Sequence, residues 1–321
     1  MGRPPGLPEE FLERLRALVP PSRWQAIVRT FEEPPPATFR INRPSADPRA
    51  ARTSLAADGF HAEPVAWCPG AFILRRGRLR DLQRTALYAD GSIYVQSLSS
   101  LVPPLVMELE PGLDVLDLAA APGSKTTQIA CLMQGQGRLV ANDQHRIRFF
   151  KLCANVRLQG LELIDTVNRY GEWFGTHQPD AFDRVLVDAP CSTEGRFQLR
   201  EPASFRFWSR RKIHEMAHKQ RRLLRAGLAA LRPGGVLVYA TCTFAPEENE
   251  AVLDHALGEF RDRVRLEPVR LPFANVLPGL ARWEDRAFDP AVRLAVRILP
   301  TQEMEGFFVA KFRKVQSEAG R

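Results

Sequence analysis

The 321-residue chain contains no run of about 18 apolar residues, the length a helix needs to cross a bilayer. Its first residues, Met1-Gly2-Arg3-Pro4-Pro5, lack the apolar stretch of a secretory signal. Gly6 stands where a myristoylation signal on Gly2 would need Ser or Thr. The five cysteines are odd in number and scattered without a CxxC pair, which gives neither a disulfide framework nor a zinc site. There is no internal repeat, and Pro34-Pro35-Pro36 is the sole low-complexity tract. Both glycine-rich phosphate signatures are missing. GxGxxG does not occur, and with Lys125 as the lysine of GxxxxGK[ST] the two glycines would fall on Ala119 and Ser124. A cytoplasmic protein with reduced thiols and no metal is expected, with monomer as the default state.

What is present is a long chain, 45% hydrophobic, with a formal charge of +8. That length allows a large core or two domains, and the charge favours a polyanionic partner. Phe11, Leu15, Leu18, Trp24, Ile27 and Val28 recur at helical spacing between Pro8 and Thr30, and the triple proline ends that region. A strand over Thr38–Asn42, a helix over Pro48–Ala57 and one or two strands over Val65–Leu74 follow. Together these predict a small α+β domain over residues 1–85. Its arginines, Arg40, Arg43, Arg49, Arg52, Arg75, Arg76, Arg78 and Arg80, form a cationic surface suited to phosphates.

Residues 86–321 read differently. A helix over Leu101–Leu109 is stopped by Pro111-Gly112. After it the pattern alternates: strand Val115–Leu118, helix Thr126–Met133, strand Arg138–Ala141, helix Arg146–Leu158, strand Leu161–Val167, strand Arg184–Asp188, helix Arg211–Leu231, strand Val236–Ala240, helix Glu247–Phe260. Such alternation predicts a parallel sheet covered on both faces, with ligands bound beyond the carboxyl ends of its strands. Arg293–Leu299 and Gly306–Phe312 fit a closing strand pair at one edge.

Around Ala119-Ala120-Ala121-Pro122-Gly123-Ser124-Lys125 a strand turns into a helix on small residues. A ligand can there lie against bare backbone and the helix N-terminus. With both phosphate signatures absent, the ligand chemistry left is that of S-adenosylmethionine (SAM), whose carboxylate and ribose need a close turn but no pyrophosphate cradle. An ordinary strand-to-helix turn has the same appearance. Asp143, after the next strand, can accept hydrogen bonds from ribose hydroxyls or cap the helix that begins near His145. Two further strands end in Asp188-Ala189-Pro190-Cys191-Ser192 and Thr241-Cys242-Thr243. One cysteine of this kind reads as a small buried apolar residue; two at strand ends facing one crevice read as a catalytic pair.

At these motifs the sequence resembles the NOP2/Sun (RsmB/RsmF-like) family of SAM-dependent RNA 5-methylcytosine methyltransferases. The resemblance covers nearly the whole chain. It rests on Phe39-Arg40-Ile41-Asn42, Gly91 to Ser100, Leu116 to Thr126, the Pro-Cys and Thr-Cys pair, Glu247-Glu248-Asn249, and Gly306 to Lys311. It implies a Rossmann-like class I methyltransferase sheet preceded by a small α+β RNA-binding domain. It also implies a target cytosine in ribosomal or transfer RNA, reached unstacked. By this resemblance Cys242 is a nucleophile toward carbon 6, Cys191 assists product release, Asp188 hydrogen-bonds the base near N3, and Lys125 helps fix the base and keep a thiol ionised. Ala119 to Lys125, Asp143, Arg148 and Asp188 would hold SAM. A DNA cytosine-5 methyltransferase would carry Pro-Cys-Gln, whereas Ser192 follows here. The alternative of another class is an RNA-binding assembly factor that keeps the fold. Three departures from the family pattern stand out: Ser124 replaces a second glycine, Gly171 stands where an adenine-side carboxylate is usual, and no large RNA-binding domain follows Lys314. The N-terminal domain is then expected to supply much of the selectivity, and ribosomal RNA is the favoured target.

Overall fold

The computed structural model describes residues 6–42 and 47–316, so Met1–Pro5 and Arg43 lie outside the described residues. The N-terminal elements are α1 (Glu9–Leu18), α2 (Trp24–Thr30), β1 (Thr38–Ile41), α3 (Pro48–Ala57), β2 (His61–Pro64), β3 (Ala71–Arg76), α4 (Leu79–Leu82), α5 (Ala86–Ala89) and β4 (Ile93–Val95). The four strands form an antiparallel sheet in the order β2-β3-β1-β4. Phe39, Leu55, Phe72 and Ile93 form the core between α3 and this sheet. Helices α1 and α2 go elsewhere. Phe11, Leu15, Ile27 and Phe31 pack on Phe197, Phe205 and Phe244 of the second half of the chain, and Arg14 pairs with Glu247 at 2.7 Å.

Then come α6 (Leu98–Leu105), β5 (Asp114–Asp117), α7 (Ser124–Leu132), β6 (Arg138–Asn142), α8 (Arg146–Gln159), β7 (Ile164–Val167), α9 (Glu172–His177), β8 (Phe182–Asp188), α10 (Arg210–Ala230), β9 (Leu231–Thr241) and α11 (Glu250–Phe260). The C-terminal strands are β10 (Val264–Glu267), β11 (Val276–Pro278), β12 (Arg282–Trp283), β13 (Arg286–Ala287), β14 (Val296–Ile298) and β15 (Phe307–Lys314). The large sheet runs β11-β14-β15-β9-β8-β5-β6-β7, with β10 also paired to β15. Strands β5 to β9 are parallel, and β15 is antiparallel to β9. Their apolar runs are the cause. Val115, Leu116, Val185, Leu186, Val187 and Val236 to Ala240 are all fully buried, as strands covered on both faces must be. The Rossmann-like sheet and the preceding α+β unit expected from the sequence are both present.

Several boundaries differ from expectation. The one or two strands expected over Val65–Leu74 are two, displaced outward to His61–Pro64 and Ala71–Arg76 and joined by a turn over residues 65–70. The first was hidden because Ala62 alone of its four residues is buried. Helix α6 runs from Leu98 to Leu105 instead of Leu101 to Leu109, and it carries Pro103 and Pro104 within it. The expected closing pair exists as β14 and β15. It is not the edge, however, since β11 lies beyond β14 and β10 shares the same side of β15.

Arg40 is a correction of another kind. It is 4% exposed and cannot belong to a phosphate-binding surface. Its guanidinium donates to Gln96 Oε1 at 2.8 Å, the Ser124 carbonyl at 3.0 Å and Thr127 Oγ1 at 2.6 Å, tying β1 to the start of α7. Arg75 is committed to Glu63 and Glu303. Arg49, Arg52, Arg76, Arg78 and Arg80 remain exposed. Among the described residues, no helix is long and apolar enough to cross a membrane, and no cluster of three or more His, Cys, Asp or Glu could hold a metal.

Candidate active site

The switch point of the sheet lies between β5 and β8, where chain connections leave in opposite directions and open a crevice. A cleft of about 560 Å³ occupies it. Ala119 to Pro122, Ser124, Lys125, Asp188, Cys191 and Cys242 line it together with Asp117, Arg148, Arg196, Glu305 and Phe307. Gly123 does not line it. Its φ of +109° makes the left-handed turn into α7, and a Cβ there would press on Leu152 at 3.1 Å. Ser124, in place of the usual second glycine, is the first residue of the helix and needs no such freedom.

Lys125 reaches from the first turn of α7 across to β8. Its ammonium lies 2.7 Å from Asp188 Oδ2 and 2.7 Å from Ser100 Oγ, almost wholly buried and 5.5 Å from the centre of the Phe307 ring. The two cysteines project from the loops after β8 and β9, and their sulfurs are 3.3 Å apart. All five cysteines are free thiols. The pair is electrostatically unequal. Cys191 is raised well above an ordinary thiol by its hydrogen bond with Cys242 and by burial. Cys242 is lowered, first by that same hydrogen bond and then by the charge of Arg196, against the cost of burial. Both directions favour Cys242 as the thiolate, the reactive form.

Sequence reading missed most of the support beneath these loops. Glu194 is buried and accepts from Trp208 Nε1 at 2.7 Å, Thr243 Oγ1 at 2.9 Å and the Phe244 N–H at 3.0 Å. Glu248 is fully buried, and its Oε2 accepts from the Ser192 N–H at 3.0 Å and Gln220 Nε2 at 2.7 Å. One carboxylate therefore braces the Thr-Cys loop and the other the Pro-Cys loop. The sole signal was the acidic run Glu247-Glu248-Asn249 beside the motif.

Burial pushes the Glu248 carboxyl up to about 8, and its Oε1 has no partner within the described residues, as suits a carboxyl that keeps its proton. The folded state therefore holds a proton that the unfolded chain releases near the usual 4.5. This contribution favours folding below that value and is lost as the pH rises toward 8. Glu248→Gln mimics the protonated form. Relative to wild type it should gain a few kcal/mol in denaturant unfolding at pH 8.5 and nothing at pH 4.5.

The cofactor end of the cleft tests whether SAM fits. Asp117 ends β5, is buried, and is pushed up to about 7 chiefly by that burial. Its Oδ2 accepts from Thr126 Oγ1 at 2.7 Å, while Oδ1 has no partner among the described residues. Asp143 does not cap α8, whose N-cap is His145 without a side-chain cap bond, but it fixes the chain just before that helix. Its Oδ1 accepts from the His145 N–H at 2.8 Å, the residue before α8, and its Oδ2 takes a long bond of 3.3 Å from the Ala121 N–H. Arg148 lies 3.5 Å from Asp143 and donates to the Ala121 carbonyl. A second pocket of about 90 Å³ adjoins, lined by Asp143, His145, Gly171, Lys219 and Leu223. A Cβ at Gly171 would meet Leu223 at 2.5 Å, so that wall is closed by a leucine. Small residues at the turn, an open carboxylate oxygen on Asp117 and the Asp143 carboxyl fit the polar ends of SAM.

A Rossmann-like sheet with a close turn after its first parallel strand and an acid after its second is the architecture of the class I methyltransferases. Within that class the chain belongs to the RsmB/F family: the family model described as 16S rRNA methyltransferase RsmB/F matches residues 104–313. The N-terminal domain of 16S rRNA methyltransferase RsmF matches residues 7–98. The chain is 38% identical over 263 residues to a tRNA (cytosine(49)-C(5))-methyltransferase of Pyrococcus abyssi, covering 81% of this chain and 83% of that one. It is 36% identical over 313 residues to ribosomal RNA small subunit methyltransferase F of Vibrio campbellii, covering 96% of this chain but 63% of the relative's length. A solved methyltransferase homologue from Pyrococcus horikoshii superposes with a TM-score of 0.79 at 30% identity, covering 96% of this chain and all of that one.

Proposed function

We propose that this chain methylates carbon 5 of a cytosine in ribosomal or transfer RNA, using SAM, through a covalent bond between Cys242 and carbon 6 of the base. The observation that carries this reading is the sulfur pair 3.3 Å apart in one cleft with the Lys125–Asp188 ion pair. Carbon 5 of cytosine is too electron-poor to take a methyl group directly. Addition of the Cys242 thiolate to carbon 6 moves an electron pair into the ring and makes carbon 5 nucleophilic. Asp188, oriented by Lys125, hydrogen-bonds the base near N3, where charge changes on addition. When bound, SAM supplies an electrophilic methyl group; Asp117, Asp143, Arg148 and the turn from Ala119 to Lys125 are the residues that would hold it. Release then requires loss of the carbon 5 proton and breakage of the carbon–sulfur bond. Cys191, on the same side as Cys242, is placed to assist that elimination.

The target must be single-stranded or flipped into the cleft. Residues 1–85 form the RNA-docking domain in this reading, its sheet completed by β4 (Ile93–Val95) from the start of the catalytic part over residues 86–321. Of the arginines expected to meet phosphates, Arg49, Arg52, Arg76, Arg78 and Arg80 are exposed. The test is methyl transfer from radiolabelled SAM to 16S rRNA and tRNA transcripts, with nucleoside analysis of the product. 5-Methylcytidine in either supports the reading, and no incorporation into either contradicts it. RNA affinity should fall steeply with salt, because phosphate contacts dominate it.

A further inference from the structure

We propose that Arg196 is the positioning residue that holds Cys242 in its thiolate form and so sets the lower pH limit of the reaction. The inference rests on the reading of Cys242 as nucleophile. Three cations line the cleft, and two are committed elsewhere. Lys125 is bound to Asp188 and Ser100. Arg148 is bound to Asp143 and the Ala121 carbonyl at the cofactor end. Arg196 uses its Nε alone, donating to Glu305 Oε2 at 3.1 Å, and Glu305 is itself fixed by Ser97 Oγ at 3.1 Å. Among the described residues the two terminal nitrogens of Arg196 have no hydrogen-bond partner, and the side chain lines the cleft that holds both sulfurs.

The backbone beneath Arg196 is fixed directly to the strand end that carries Cys242. The Gly195 N–H donates to the Cys242 carbonyl at 2.9 Å. A Cβ on Gly195 would lie 2.1 Å from the Gly306 carbonyl oxygen and 3.1 Å from that of Cys242, so the contact tolerates only glycine. On the other side, Glu194 is bonded to Thr243 and Phe244, which follow Cys242. Any shift of the Cys242 loop therefore carries the Arg196 loop with it.

The groups facing Cys242 are few. Cys191 and Arg196 favour its ionised form; burial, Asp188 and Glu305 oppose it. Glu248 acts on Cys191 from beneath. Arg196 in turn is held more firmly protonated, first by Cys242 and then by Glu305. Lys125 is neutralised by Asp188, which leaves Arg196 as the cation available to offset the two carboxylates.

The test uses Arg196→Met and Arg196→Lys in the full chain. The rate at which iodoacetamide alkylates the Cys242 peptide is followed by mass spectrometry across pH, beside kcat and KM for RNA. Arg196 is half exposed, so folding is checked by thermal unfolding, and the lysine variant restores the charge if the methionine variant proves unstable. In Arg196→Met the alkylation midpoint should rise by about one unit, leaving roughly tenfold less thiolate below it. The acid limb of kcat should move with it, KM should stay within about twofold, and activity should recover at high pH; Arg196→Lys should restore most of the shift. An unmoved midpoint in both variants overturns the proposal. An unmoved midpoint with a raised KM and a salt slope reduced by about one also overturns it, in favour of a phosphate contact. A raised midpoint with an unmoved kcat limb supports the Arg196–Cys242 coupling and contradicts Cys242 as the nucleophile, so the two claims fail separately.

Discussion

Cys242→Ala should abolish methyl transfer, by a factor on the order of 10⁴ or more, the scale lost when a covalent catalyst loses its nucleophile. SAM affinity should stay within about twofold and the unfolding midpoint should barely move. The truncation removes one small sulfur from the edge of the core, while the loop around it stays fixed by the Gly195 N–H on the Cys242 carbonyl and by Thr243 on Glu194. No serine can substitute, since a hydroxyl in the same place is not ionised near neutral pH. Single-turnover incorporation from labelled SAM, with equilibrium SAM binding alongside, measures both halves. A variant that keeps a tenth of wild-type activity would show that the thiolate does not form the bond to carbon 6.

Arg297→Met should cost about 3–5 kcal/mol of stability, the loss expected when one partner of a buried ion pair is removed and the other stays charged. Arg297, in β14, and Glu250, in the first turn of α11, are 4% and 0% exposed. The guanidinium donates to Glu250 Oε1 at 2.6 Å, engages Oε2 as well, and reaches the Phe244 carbonyl at 2.9 Å. Glu250 also accepts the Leu280 N–H at 3.0 Å. The melting temperature should drop on the order of 10 °C. Arg297→Met/Glu250→Leu should regain much of the loss, because no buried charge is then left alone. Phe244 lies two residues beyond Cys242, so the single variant should also lower kcat at temperatures where it remains folded.

The parts legible in the sequence were those where one physical cause dominates. Central parallel strands are buried on both faces, so Val185 to Val187 and Val236 to Ala240 stand out as apolar runs. The residues that end them, Asp188, Cys191 and Cys242, then fall at the ligand edge. What stayed illegible depends on contacts distant in the chain. Arg40 reads as one more surface arginine, yet it is buried against Ser124 and Thr127, more than 80 residues away. Glu194 and Glu248 look like solvated acids until β8 and β9 lie side by side and bury them beneath the two cysteine loops. Arg196 gives no pattern at all, because its meaning comes from Gly195 pressing on the Cys242 carbonyl. Helices α1 and α2 were visible as apolar stripes, but nothing local says that Phe11 and Phe31 seek Phe197 and Phe244. The small strands β2 and β11 bury too little to show a period.

The covalent step is tested most directly by Cys191→Ala incubated with SAM and RNA and resolved on a denaturing gel. Removing the group that assists release should let the carbon 6–sulfur bond accumulate, giving a slow-migrating protein–RNA band whose RNA can be sequenced. The band should be absent from Cys191→Ala/Cys242→Ala. A band that persists in the double variant would contradict Cys242 as the attacking sulfur. No band from Cys191→Ala, in a preparation whose wild type makes 5-methylcytidine, would contradict the role of Cys191 in release.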